Sequence, residues 1–287
     1  MKNYLYAMGA ILCWASLPVA TGSGLESLST EELMFYSFSS SAIFLYIMKA
    51  FREKSMKISF PKMKITLLGI WGIFIYHYVY YLALDHSSLT EGAILTTTWS
   101  FWIVIFSSLL EFRRLNIKIV LTALAGMGGI VLVITAGKGL SFGAEYLPGY
   151  LLALLCGLIW SSFSVALGTI KQEKDTITEF TIVAAFLSLL LFLFTLPHSI
   201  PSAKAIMSAI YLGTIPLGLS FYLWNKALKG GNLVVIGYLS YLTTPLAVLL
   251  VSLIHKGDVH PQVIVGMFVI IIASVIGKLS LKNTGNL

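Results

Sequence analysis

The sequence predicts an all-α integral membrane protein, with ten transmembrane helices forming two inverted five-helix repeats around a central cavity. Three observations predict it. Apolar residues make up 57% of the chain and charged residues only 11%, whereas a soluble domain carries about 25% charged residues. The apolar residues gather in ten runs, each near the roughly 20 residues that a helix needs to cross a bilayer. A segment near the N-terminus also returns 146 residues later.

The runs cover approximately residues 4–21, 32–51, 65–84, 90–110, 118–136, 148–170, 179–196, 205–225, 233–254 and 262–281. Each is expected to be helical, because a backbone inside lipid must bond to itself. The first follows Lys2 and holds Trp14 and Pro18. Its recurrence later in the chain argues against a cleaved signal peptide. The second, fourth and seventh are preceded by Ser29-Thr30-Glu31-Glu32, Ser88-Leu89-Thr90-Glu91 and Thr176-Ile177-Thr178-Glu179. In this spacing a hydroxyl and a carboxylate cap each other's backbone N–H groups, so Glu32, Glu91 and Glu179 read as caps. The third run carries Ile75-Tyr76-His77-Tyr78-Val79-Tyr80-Tyr81, and the fifth carries Gly126, Gly128 and Gly129. Pro216 interrupts the eighth and Pro245 the ninth, and Gly266 sits in the tenth. Cys13 and Cys156 lie inside runs, with no partner spaced for a metal or redox pair, and read as packing residues.

Charge orients the runs. With the N-terminus inside and the runs alternating, only Lys138, Lys204 and Lys256 fall outside, leaving 16 of the 19 Lys and Arg inside. That bias places both termini in the cytoplasm. It also explains the net charge of +7 without nucleic acid, since the basic residues form no single face.

The recurring segment is Tyr4-Leu5-Tyr6-Ala7 to Leu12-Cys13-Trp14-Ala15-Ser16-Leu17-Pro18-Val19-Ala20. It matches Tyr150-Leu151-Leu152-Ala153 to Leu158-Ile159-Trp160-Ser161-Ser162-Phe163-Ser164-Val165-Ala166. Tyr80-Tyr81-Leu82-Ala83-Leu84 similarly resembles Trp224-Asn225-Lys226-Ala227-Leu228. Five spans separate each element from its copy, so the second half (145–287) enters the membrane upside down relative to the first (1–140). Inverted repeats of this kind are a transporter architecture, with the site near the midplane between the halves.

These motifs, in this order and duplicated, resemble the drug/metabolite transporter superfamily of the ten-span EamA-domain type, over nearly the whole chain. The histidine among tyrosines in the third span, with Trp99 and Trp160, is similar to the aromatic amino acid exporters of bacterial inner membranes. The resemblance implies ten helices around a central aromatic cavity, and it implies export. Two features differ from the family pattern: Trp99-Ser100-Phe101 stands where the second half has Pro245. The Gly-Glu pair that follows the fourth and ninth spans appears only as Leu110-Glu111 and Gly257-Asp258.

Helical spacing puts His77, Tyr80, Tyr81 and Leu84 on one stripe with Tyr76 beside it, and it aligns Gly92 with Thr96 and Trp99, and Tyr238 with Tyr241 and Pro245. The candidate substrate-binding residues are therefore Tyr76, His77, Tyr80, Trp99, Trp160, Tyr238 and Tyr241. For any one aromatic, core packing or an interfacial belt is the competing reading. His77 stands apart as the one readily ionisable group deep in a span, which marks it as functional unless it is a hydrogen-bonded structural histidine.

No Asp, Glu, Lys or Arg falls near a midplane, which favours a neutral or zwitterionic cargo. Organic cations and nucleosides stay open, since ring faces also attract cations. A membrane-embedded enzyme would need a nucleophile with its base, paired carboxylates or metal ligands on adjoining turns, and the spans contain none. The expectation is a monomeric inner-membrane carrier of a small molecule, working in the lipid bilayer without cofactor or metal.

Overall fold

The computed structural model describes all residues except 88, 141, 171–174, 196–199, 257–258 and 285–287. Lys171, Lys174, the Gly257-Asp258 pair and the Ser88 capping reading therefore lie outside the described residues. Ten helices long and apolar enough to cross a membrane run through the described chain: α1 (Lys2–Leu25), α2 (Thr30–Glu53), α3 (Met63–Asp85), α4 (Glu91–Phe112), α5 (Ile117–Thr135), α6 (Ala144–Thr169), α7 (Ile177–Phe194), α8 (Ala203–Leu228), α9 (Leu233–Ile254) and α10 (Pro261–Leu281). Their ends fall within a few residues of the apolar runs.

The expected capping box opens α2. Glu32 N–H donates to Ser29 Oγ at 3.2 Å, and Ser29 N–H donates to Glu32 Oε2 at 2.8 Å. At α7 the capping reading of Glu179 is corrected. Thr176 makes no side-chain cap bond, and Asp175 Oδ1 instead accepts from Ile177 N–H at 3.3 Å. Glu179 turns inward and pairs with Lys49 of α2, both buried. The physical reason is the packing of α7 on α2, which leaves Lys49 buried. A buried ammonium needs a charged partner more than a helix end needs a carboxylate.

Five helices depart from regular α geometry within their length, and α6 opens on a 3-10 turn at Ala144–Tyr146. In α1 the chain breaks at Ser16, in α8 Ile215–Leu219 form a π-helical turn, and in α9 a break at 241–242 separates Leu233–Ser240 from Thr243–His255. Each has a proline close by. Pro18, Pro216 and Pro245 cannot donate to the carbonyl four residues earlier. The other two departures have no proline. In α3, Ile70–Ile75 form a π-helical turn, and α4 is broken at 97–98. At the α4 break Thr96, Thr97 and Thr98 each donate a hydroxyl to the carbonyl three residues back, at 2.7–2.9 Å. Such bonds compete with the main-chain ladder and loosen it. The breaks in α4 and α9 lie 144 residues apart, and the π turns of α3 and α8 fall at nearly the same offset.

Helix contacts come in matched pairs. α1 packs on α8 and α6 on α3; α9 packs on α1 and α4 on α6; α8 packs on α2 and α3 on α7. α2 meets α7, α4 meets α9, and α5 meets α10. Exchanging the first five helices for the last five turns this list into itself. The α5–α10 crossing is close because it lacks side chains: a Cβ on Gly129 would lie 2.9 Å from the Gly266 carbonyl oxygen. Small residues of this kind let membrane helices approach.

Candidate functional site: an aromatic cluster between the two halves

Four tryptophans from α1, α4, α6 and α8 meet in the middle of the bundle. The Trp14 ring lies 5.9 Å from Trp99, 5.5 Å from Trp160 and 5.0 Å from Trp224, all edge to face. Trp99 and Trp224 are 6.1 Å apart. The edge-to-face arrangement follows the ring quadrupole, positive at the rim and negative at the face. Two indoles are also tethered. Trp14 Nε1 donates to the Pro216 carbonyl at 3.0 Å, within the π turn of α8, and Trp224 Nε1 donates to Ser164 Oγ at 3.1 Å.

The tyrosines of α3 extend the cluster. Tyr76 sits 5.0 Å from Trp160, 4.8 Å from His77 and 6.1 Å from Tyr80. Ring contacts thus join five residues chosen from sequence: Tyr76, His77, Tyr80, Trp99 and Trp160. Tyr238 and Tyr241 lie elsewhere. The Tyr238 hydroxyl bonds Thr122 and donates to the Ile119 carbonyl at 3.2 Å, while that of Tyr241 donates to the Ala123 carbonyl at 2.8 Å. Both clamp α9 to α5, in a second hydrophobic cluster. Trp14 and Trp224 stand outside the candidate set read from the sequence, although the repeat signals both. Trp14 is the copy of Trp160, and Trp224 stands in the segment matching Tyr80.

His77 is buried and anchored to its own helix. Its Nδ1 lies 2.7 Å from the Ile73 carbonyl oxygen, so that nitrogen carries the proton. Phe38 and Phe221 meet the imidazole edge to face at 5.2 and 5.8 Å. Among the described residues no group of three or more His, Cys, Asp or Glu is placed to hold a metal.

A pair of serines frames the cluster. Ser16 donates to the Cys13 carbonyl and accepts from the Tyr211 hydroxyl at 2.9 Å. Ser162, 146 residues on, donates to the Ile159 carbonyl and accepts from Trp71 Nε1 at 3.0 Å. On the Ser16 side a cavity of about 670 Å³ opens between α1, α8 and α9, with Ser16, Ser23, Lys204, Ser208 and Tyr211 as its polar lining. It lies at the end of the bundle far from the N-terminus, and no tryptophan among the described residues lines it.

The two ends of the aromatic cluster differ. At the far end Tyr80 and Leu84 are half-buried and Pro18 is exposed. Their counterparts at the terminus end, Trp224, Leu228 and Ser164, are 1%, 2% and 0% exposed. There the space between Ile73, Trp160, Phe163, Phe221 and Trp224 is too small for a water molecule. Beyond it lies a polar layer. Asn225 Nδ2 donates to Asp175 Oδ1 at 2.7 Å, Arg52 pairs with Asp175 at 3.4 Å, and Lys49 pairs with Glu179. Burial pushes the Lys229 ammonium below its ordinary value, against the opposing pull of Asp175.

Comparison with known proteins matches the EamA-like transporter family to residues 1–135 and 147–277. The aromatic amino acid exporter YddG of Ancylobacter novellus is 30% identical over 277 residues, spanning 95% of this chain and 94% of that protein. The YddG of Salmonella typhimurium is 23% identical over 180 residues, 61% of each chain. An uncharacterised transporter of Archaeoglobus fulgidus is 21% identical over 238 residues, 80% of this chain and 81% of its own length. A solved crystal structure, 28% identical, superposes with a TM-score of 0.86 over 97% of this chain and 99% of the other.

Proposed function

The chain belongs to the EamA-like transporter family, and from that premise we propose that it carries aromatic and other neutral amino acids out of the cell by alternating access. Its two halves, 1–140 and 145–287, act as inverted repeats that rock about the tryptophan cluster, with both termini in the cytoplasm of an inner-membrane protein. The observation that carries this reading is the cluster itself. Trp14, Trp99, Trp160 and Trp224 come from four helices and both halves, with Tyr76 and Tyr80 alongside. A flat ring entering between them gains offset or edge contacts worth about 0.5–1.5 kcal/mol each. Charge supports the same cargo. The ion pairs lie at the terminus end and the far rim, so the aromatic wall presents no fixed charge that a neutral or zwitterionic solute must displace.

Organic cations are the second reading, because indole faces attract them as well. Efflux from proteoliposomes loaded with labelled phenylalanine, tryptophan, leucine, nucleosides and quaternary amines separates the two. The proposal expects the amino acids to leave fastest, with aromatic ones ahead. Release of the amines alone, with every amino acid retained, would overturn it.

A further inference from the structure

We infer that Trp224 and Asn225 of α8 are a latch that holds the terminus end of the transport path shut, so that the empty carrier rests open at the far end. Three observations carry this. Trp224 Nε1 donates to Ser164 Oγ at 3.1 Å and, one residue on, Asn225 Nδ2 donates to Asp175 Oδ1 at 2.7 Å. Both bonds lie within the second half, tying α8 to α6 and the segment that follows it. They fix Trp224 and Asp175 in place for the first half to close on, with Trp14 and Trp99 against the indole and Arg52 against the carboxylate. Ser164, Trp224 and Asn225 are fully buried, where a hydrogen bond is costly to leave unmade.

The second observation is that the Trp224–Ser164 bond has no twin, although Tyr81, opposite Asn225, is itself buried beside Thr21 of α1. The repeat places Pro18 opposite Ser164, and Tyr80 and Tyr81 opposite Trp224 and Asn225. Proline has no hydroxyl to accept from Tyr80, so the same bond cannot form at the far end. Two halves that otherwise pack alike are thereby biased toward one closure, and the half-burial of Tyr80 and Leu84 beside the full burial of Trp224 and Leu228 is its trace.

Third, the more buried ion pairs lie at the same end, while the Lys204–Glu26 pair at the far rim is exposed. Asp175 also receives Arg52, and the buried Lys49–Glu179 pair ties α2 to α7. The second oxygen of Glu179 has no hydrogen-bond partner among the described residues. A buried ion pair adds little net stability over apolar packing, and its best-attested use is to select one arrangement over another.

The inference rests on alternating access and not on the identity of the cargo. It is tested with single-cysteine reporters at the matching positions Leu84→Cys and Leu228→Cys, in full-length protein with Cys13 and Cys156 replaced by alanine. A membrane-impermeant maleimide is applied from either side of reconstituted vesicles. With the latch intact, Leu84→Cys reacts from the far side and Leu228→Cys stays slow. Adding Ser164→Ala, or Trp224→Phe with Asn225→Ala, should raise the Leu228→Cys rate about ten-fold, the size expected from losing one or two buried hydrogen bonds. The Leu84→Cys rate should fall in step. If these variants do not fold, Asp175→Asn in the loop is read the same way. Unchanged rates in folded protein, or both rates rising together, overturn the latch. Alternating rates without amino acid efflux would uphold the latch and defeat the cargo reading.

Discussion

At the scale of the residue, the structure sorts the aromatic side chains by what their polar atoms do. Trp99 has neighbours in Trp14 and Trp224, and Trp160 has Trp14 and Tyr76. Replacing Trp99 with alanine removes two ring contacts and replacing Trp160 removes four, since Trp160 also meets Phe163 and Phe221. The transport rate for an aromatic cargo should drop about ten-fold or more in either case, measured as efflux per folded protein. Tyr238 predicts the opposite. Tyr238→Phe loses hydroxyl bonds to Thr122 and Ile119. It should cost about 1 kcal/mol of stability, visible as a lower thermal midpoint in detergent, with cargo efflux unchanged. The sequence made the aromatic residues visible but not their facing. The expected stripe of His77, Tyr80, Tyr81 and Leu84 divides: His77 and Tyr81 are buried, while Tyr76, Tyr80 and Leu84 form the more open face. The π turn just before Tyr76 sets the phase of this whole segment against Met63–Gly69, while the division within Tyr76–Asp85 follows from the neighbours that each face meets; the local sequence announces neither.

Elements carry the next level of constraint, because the interrupted helices aim those side chains. Gly72 lies in the π turn of α3, and a Cβ there would overlap the Phe163 ring. Gly72→Ala should therefore cost about 1–3 kcal/mol by overpacking, and a thermal midpoint equal to that of the parent protein would show that α3 can move away. A π turn is one residue inserted into an α-helix and is often found at functional sites. Deleting Ile70 should restore regular α geometry and turn Tyr76 and Tyr80 off the cluster, so that folded protein no longer moves cargo. Helix breaks were legible only where a proline marks them, in α1, α8 and α9. The matching irregularities in α3 and α4 have none. At α4 the signal was the run Thr96-Thr97-Thr98, whose hydroxyls all turn back on the main chain.

Across the whole molecule, ten spans and their segregated charges were readable because hydropathy and topology are properties of composition along the chain. The pairing of Lys49 with Glu179 was not, since 130 residues separate them and only the packing of α2 on α7 brings them together. The same packing explains why Glu179 abandons the role its capping motif suggests. The central claim, that the molecule carries aromatic amino acids past a tryptophan cluster, is tested most directly by solute counterflow. Proteoliposomes preloaded with unlabelled phenylalanine and diluted into a trace of the labelled amino acid should accumulate label transiently. Trp99→Ala should reduce that accumulation about ten-fold. Absence of accumulation for phenylalanine, tyrosine and tryptophan, in protein that does exchange a quaternary amine, would contradict the claim.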